Sequence, residues 1–177
     1  MITGKYNFRN YTEFGALPPG ERTFAHQLRE AGYRTGVAGK WQLAGPVEGT
    51  AQKGEGTLPQ EAGFDEHCLW QVKKQGSRYW DPVLHVNGEL QPPRGGEFGP
   101  DVFTAWAEAF MERHRERPFL LYYPMALTHN PFVPTPHSKG FTQQQKQKND
   151  PAWFAGMVAY MDHLVGRIAA SVSRLHS

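Results

Sequence analysis

The sequence predicts an α/β fold, part of a sandwich in which a mostly parallel central sheet is flanked by helices. Three observations carry that expectation. Helix-like and strand-like segments alternate along the chain, residues 33–38 and 119–124 read as short strands, and each is followed by a polar loop.

The elements follow in order. Residues 1–20 are aromatic and punctuated by Gly and Pro, the composition of a loop or extended entry segment. A short helix comes next: Thr23 can cap it, Phe24 and Leu28 share one face, and Gly32 stands where a left-handed residue ends a helix. Residues 33–38 then form a buried strand leading into Gly39-Lys40-Trp41-Gln42. Residues 44–62, rich in Gly, Pro, Glu and Gln, read as a surface excursion. A second short strand begins within 63–70. Val83 to Leu90 reads as a hairpin, because Asn87-Gly88 accepts the positive φ angles of a tight turn. Asp101 to Glu116 spaces Val102, Phe103, Trp106, Ala109 and Phe110 as an amphipathic helix, acidic at its start and basic at its end. Pro118 breaks it, and residues 119–124 have the continuous apolar character of a strand buried on both faces. After the polar loop at 127–131 and a solvated connection at 138–150, a long helix carries the stripe Met157, Tyr160, Met161, Leu164, Val165, Ile168 and Val172.

Composition narrows the function classes. The 177 residues are 39% hydrophobic and 20% charged, which suits one folded unit rather than a disordered chain. Nineteen Lys plus Arg against 17 Asp plus Glu leave a net charge of +2, so no broad basic field points to nucleic acid or an anionic membrane. Any anion site must be local. No apolar run is long enough to suggest a membrane span, and the first ten residues lack the apolar core of a signal peptide, which leaves the compartment open. Cys68 is alone, so neither an internal disulfide nor a structural zinc site is implied.

In open α/β sheets, ligands bind beyond the carboxyl ends of the strands. The two post-strand loops there hold Lys40 and His129. A lysine ammonium offers donors and a positive charge, and a histidine can donate to an anion or pass a proton to a leaving group, so together they suit a tetrahedral oxyanion. Taken singly, Lys40 reads first as a surface lysine and His129 as a loop histidine satisfying nearby backbone. Other residues have plain readings: Asp65, Glu66 and His67 as a solvated loop, Asp162 and His163 as the polar side of the last helix, and Trp41, Tyr79 and Trp80 as core or rim packing before pocket lining. His137 follows a Pro-rich loop and is a weak candidate for a pocket mouth.

The residues around Lys40 and His129 resemble the sulfatase family. Gly32-Tyr33-Arg34-Thr35-Gly36-Val37-Ala38-Gly39-Lys40-Trp41-Gln42-Leu43 is similar to the family's second signature, and Thr3-Gly4-Lys5-Tyr6 to the segment after its first. Pro118 to His129 resembles the central strand and histidine loop, and residues 156–162 the helix before a later metal-binding strand. The resemblance spans nearly the whole chain, and residues 1–177 read as the central part of a sulfatase catalytic domain of the alkaline phosphatase superfamily, without its amino- and carboxyl-terminal parts.

That resemblance implies hydrolysis of sulfate esters, small molecules or sulfated glycans, by a formylglycine made from a Cys or Ser in a Cys/Ser-x-Pro-x-Arg signature, with calcium holding the sulfate. Cys68 lies in Glu66-His67-Cys68-Leu69-Trp70, without that Pro and Arg, and is not assigned as nucleophile. The signature is expected before residue 1, and the calcium ligands before residue 1 and after residue 177, so this chain is expected to be inactive alone. Lys40 would neutralise a sulfate oxygen and stabilise developing charge. His129 would bind another sulfate oxygen or assist the leaving alcohol. Gln42 stands where many relatives carry histidine; it can contact substrate but cannot carry a proton. The alternatives are a phosphodiesterase or phosphonate hydrolase of the same superfamily, a non-catalytic binding remnant, or a plain carbohydrate-binding module. Family members are often exported. Substrate identity and oligomeric state are not legible.

Overall fold

The computed structural model describes residues 2–175. In chain order the elements are α1 (Asn7–Asn10), α2 (Phe24–Glu30), β1 (Arg34–Lys40), β2 (Glu66–Trp70), β3 (Leu84–Val86), β4 (Glu89–Gln91), α3 (Gly99–Arg113), β5 (Phe119–Tyr122) and α4 (Phe154–Leu175), with short 3-10 turns at Gln143–Lys146 and Pro151–Trp153. The sheet order is β4-β3-β2-β1-β5. β1 runs parallel to both β2 and β5, and the β3-β4 hairpin adds an antiparallel side, so the sheet is mixed around a parallel centre.

β1 is buried from Thr35 to Gly39, and its alternating side chains serve two cores. Val37 and Leu69 face α2 together with Ala25, Phe64 and Trp41. Ala38, Cys68 and Trp70 face the layer of α3 and α4, where Phe103, Ala107, Met157, Tyr160 and Leu164 pack. Small residues in β1 set the spacing: a Cβ on Gly36 would sit 2.7 Å from the Phe110 ring of α3. Thr23 caps α2 by accepting from the amides of Ala25 and His26, while its own hydroxyl donates to the Ala62 carbonyl at 2.6 Å. Gly32, at φ +90°, ends that helix in the left-handed region, and the Asn87-Gly88 turn has the expected positive φ angles.

Four expectations change. The segment 44–62 is not simply a surface excursion, since Val47, Thr57 and Ala62 are buried. Its irregular backbone is tied down by side chains instead of a periodic ladder: Trp41 Nε1 donates to the Thr57 carbonyl at 2.9 Å, and the Thr57 hydroxyl donates to the Leu17 carbonyl at 2.7 Å. β5 is half-buried along its length, because it is the outermost strand of the described sheet. On α4, Met157, Tyr160 and Leu164 are buried but Val165 and Val172 are exposed, so the stripe facing α3 is narrower than the spacing implied. Asp65, Glu66 and His67 are not a solvated loop. Asp65 Oδ2 accepts from the Thr35 amide at 3.0 Å, Glu66 pairs with Arg113 at 2.7 Å and His114 at 2.6 Å, and His67 is buried with Nε2 accepting from the Gly88 amide at 3.0 Å.

His67 therefore titrates against the fold. Burial, with neighbouring His85 adding to it, lowers its pKa from 6.5 to about 4. Between those values the unfolded chain binds more protons than the folded one, so stability is full above the unfolded value and is lost as pH falls. His85, also lowered by burial and with no partner for either ring nitrogen among the described residues, acts in the same direction. Acidifying from about pH 7 to about pH 5 is expected to cost on the order of 1–3 kcal/mol, read as a lower melting temperature. His67→Gln, whose amide oxygen can still accept from Gly88, should flatten that pH slope; an unchanged slope would place the acid sensitivity elsewhere.

Candidate active site

Lys40 is the last residue of β1, at the carboxyl end of the parallel strands. Its amide donates to the Pro124 carbonyl just beyond β5 at 2.8 Å. Gly39 makes that approach possible: its φ is +114°, and a Cβ there would lie 2.3 Å from the Pro124 oxygen. The Lys40 side chain is half-buried beside a cavity of about 370 Å³ bounded by Trp41, Gln42, Tyr122, Pro124 and Met125. Burial pushes its ammonium pKa down, and the nearby Arg78 charge pushes it further.

Gln42 follows at φ +52°, with its amide donating to the Gln71 carbonyl at 3.4 Å. It lines the Lys40 cavity and also a second one of about 620 Å³ that holds Tyr11, Phe14, Gln52 and Gln71. Lys40 and Gln42 are thus brought to one place.

His129 lies on the adjacent loop after β5 and is exposed, outside the lining of the Lys40 cavity. Its Nδ1 lies 2.8 Å from the Asn130 carbonyl, which can only accept; Nδ1 therefore carries a proton, and Nε2 is left for another partner. Tyr79 anchors this loop, its buried hydroxyl proton shared between the carbonyls of Ala126, at 2.9 Å, and His129. Trp41, Tyr79 and Trp80 are core residues, and Trp41 also walls the Lys40 cavity. His137 is no pocket mouth: its ring packs 4.7 Å from both Tyr160 and His163 on α4.

Arg78 is the residue the sequence did not reveal. Of the 19 Lys and Arg, five are partly buried: Arg34, Lys40, Arg78, Lys146 and Arg167. Arg34 pairs with Asp65, and Arg167 with Glu108 and Asp101. Lys40, Arg78 and Lys146 have no carboxylate partner among the described residues, and Arg78 Nη1 is buried without a hydrogen bond. The Arg78 guanidinium lies 4.1 Å over the Trp70 ring. Its one sequence signal is its position before two large aromatics, Tyr79 and Trp80, which draw the segment inward. Half-buried cations without counter-ions are costly unless an anion occupies the site.

The described residues do not provide the rest of a hydrolase centre. Cys68 is buried within β2 and its thiol is pushed up to about 12 by burial, so it is no nucleophile. No group of three or more His, Cys, Asp or Glu that could hold a metal occurs among the described residues, and the surroundings of Lys40 are cationic. They do not fit a calcium ion.

The sulfatase family model matches residues 1–176. The chain belongs to the sulfatase family. It is 27% identical over 143 residues to an N-acetylglucosamine-6-O-sulfatase of Bacteroides thetaiotaomicron, covering 79% of this chain and 23% of that protein. It is 35% identical over 135 residues to an arylsulfatase of Hemicentrotus pulcherrimus, covering 69% and 24% respectively. The chain thus spans about a quarter of the length of these curated relatives. The solved structure of Ps i-CgsB shares the fold, with a TM-score of 0.75 at 20% identity over 99% of this chain and 43% of that one. The alkaline-phosphatase-like α/β architecture is that of the sulfatases.

Tyr79→Phe keeps the ring in the core but leaves the Ala126 and His129 carbonyls without their donor. The expected cost is about 1–3 kcal/mol of stability, with faster hydrogen exchange confined to the loop at 126–131. Uniform exchange across the chain would argue against a tether specific to the His129 loop.

Proposed function

We propose that this chain carries the sulfate-binding face of a sulfate ester hydrolase, with arylsulfatase-like chemistry in the protein it belongs to. The observation that supports this most directly is Lys40, a half-buried ammonium without a carboxylate partner among the described residues, at the strand end where this family's signature resemblance falls. Lys40 neutralises a sulfate oxygen and stabilises the charge that develops as the ester bond to the leaving oxygen breaks. His129, with Nδ1–H fixed on Asn130, donates through Nε2, when that nitrogen is protonated, to a second sulfate oxygen or to the departing alkoxide. Gln42 orients the ester by hydrogen bonding without proton transfer.

A formylglycine nucleophile and a calcium ion belong to the same proposal. When bound, calcium would supply positive charge to the sulfate, and the described residues do not form its site. The names of the relatives favour sulfated sugars or aryl sulfates as the ester class. The 177-residue chain alone is expected to bind sulfate without turning it over.

Three outcomes check this reading. Titration calorimetry with sodium sulfate should show Lys40→Ala binding about tenfold or more weakly than the unsubstituted chain, since a charge-assisted hydrogen bond is lost. Incubation of the chain with an aryl sulfate should release no alcohol above the buffer rate, and Lys40-dependent turnover would overturn the assignment of the nucleophile elsewhere. Finally, the depressed ammonium pKa means that Lys40 loses its charge earlier than an ordinary lysine as pH rises. Sulfate affinity should therefore fall with rising pH below the usual lysine range, and Lys40→Arg should move that loss to higher pH.

A further inference from the structure

Two cavities beyond the Lys40 pocket connect to it through shared walls. Gln42 lines both the Lys40 pocket and the 620 Å³ cavity, and Gln75 lines both that cavity and a third of about 250 Å³. The three cavities are neighbours, with one glutamine shared at each boundary. The largest of them carries the amides of Gln42, Gln52, Gln71 and Gln75 together with one acid, Glu13, and one base, Lys53. The third holds Arg78 and Lys146, and Arg78 is near enough to Lys40 for its charge to lower the ammonium pKa.

The third cavity has the features of a built anion site. The Arg78 guanidinium carbon lies over Trp70, 4.1 Å from the ring centroid, and the Lys146 ammonium sits 4.2 Å from the centroid of Trp80. Both rings are buried and fixed, the Trp70 indole N–H donating to the Gly76 carbonyl at 3.1 Å and the Trp80 indole N–H to Pro134 at 2.8 Å. The guanidinium therefore rests against an immobile aromatic surface. No Asp or Glu lines this cavity, neither cation has a carboxylate partner among the described residues, and the buried Nη1 of Arg78 has no hydrogen bond. The two other partly buried arginines of the chain, Arg34 and Arg167, are both neutralised by carboxylates. A guanidinium without a carboxylate partner, resting against a fixed ring, can offer its planar fork to the two-oxygen edge of a sulfate or carboxylate.

We propose that Arg78, with Lys146, forms a second anion subsite that binds a further sulfate or carboxylate on the same sugar chain whose scissile sulfate is held at Lys40. The preferred ligand is then a polyanionic oligosaccharide, its neutral hydroxyls lying against the amides of Gln42 and Gln75 at the cavity boundaries. This rests on the sulfatase reading of Lys40, and the two can fail separately.

The test is titration of the 177-residue chain with three disaccharides: one bearing a single sulfate, one bearing two sulfates, and one bearing a sulfate and a uronate. The readout is the ratio of affinity for each dianionic sugar to that for the monosulfated one. Arg78→Gln should lower the ratio about tenfold for whichever dianion the subsite takes, which also identifies the second group as sulfate or carboxylate. Lys146→Gln, at the cavity rim, should lower it in the same direction and keeps the test available if Arg78→Gln unfolds the chain. Arg78→Lys, which retains charge but not the planar fork, should recover only part of the ratio. An unchanged ratio in both Gln variants, or a loss equal for all three sugars, overturns the second subsite. If instead Lys40→Ala leaves the monosulfated sugar bound as tightly as before, the sulfatase reading beneath it fails.

Discussion

The close approach of the Pro124 carbonyl to Gly39 is the constraint on which the site depends. Three things converge there: the end of β1, the exit of β5, and the start of the loop that carries His129. A side chain at residue 39 would overlap the Pro124 oxygen, and most residues with a side chain avoid φ +114°. With glycine present, the Lys40 amide reaches Pro124 at 2.8 Å, and the lysine is delivered to a position flanked by β5 rather than to open solvent. Gly36, three residues earlier, plays the corresponding part on the opposite core by letting the Phe110 ring lie against the strand. The helix layer and the loop are thus both set by missing side chains in one short strand.

Delivering Lys40 to that place creates an electrostatic imbalance that the fold does not correct internally. Elsewhere the chain follows the usual rule that partly buried cations are paired: Arg167 is 2.6 Å from Glu108, and Arg34 is beside Asp65. Around Lys40 the rule is suspended, and Arg78 adds a like charge that further disfavours the ammonium. An anion bound beside either cation offsets part of that cost.

What the sequence made legible was local. Thr23, Gly32, Asn87-Gly88 and the run leading to Lys40 are determined by residues a few positions apart, and each appears where the chain predicted it. What it concealed depends on distant partners. Asp65 is satisfied by Thr35, Glu66 by Arg113, and the buried threonine of the 44–62 segment by Leu17, separations no periodicity reports. β5 reads as a central strand because its side chains are uniformly apolar, yet sheet order is a property of the whole chain. Arg78 was invisible for the same reason: a lone arginine in a segment without regular pattern acquires meaning only once Trp70 and Lys40 are placed beside it.

The segment after β2 then explains how a single stretch of chain can serve both sides of the site. Tyr79 turns inward, and its hydroxyl fixes the loop whose next residues bear His129. Arg78, immediately before it, stacks on Trp70 at the end of β2. The histidine loop and the guanidinium are therefore referenced to the same backbone, and through Trp70, paired with Lys40 in the sheet register, to the lysine as well. Rigid positioning of this kind matters because an anion is discriminated by the spacing of charges more than by their number. A lysine at position 78 would restore the charge but has no planar fork to offer a carboxylate or sulfate edge. The stack on Trp70 is thus the feature that distinguishes a ligand-reading arginine from a cation that merely happens to be buried.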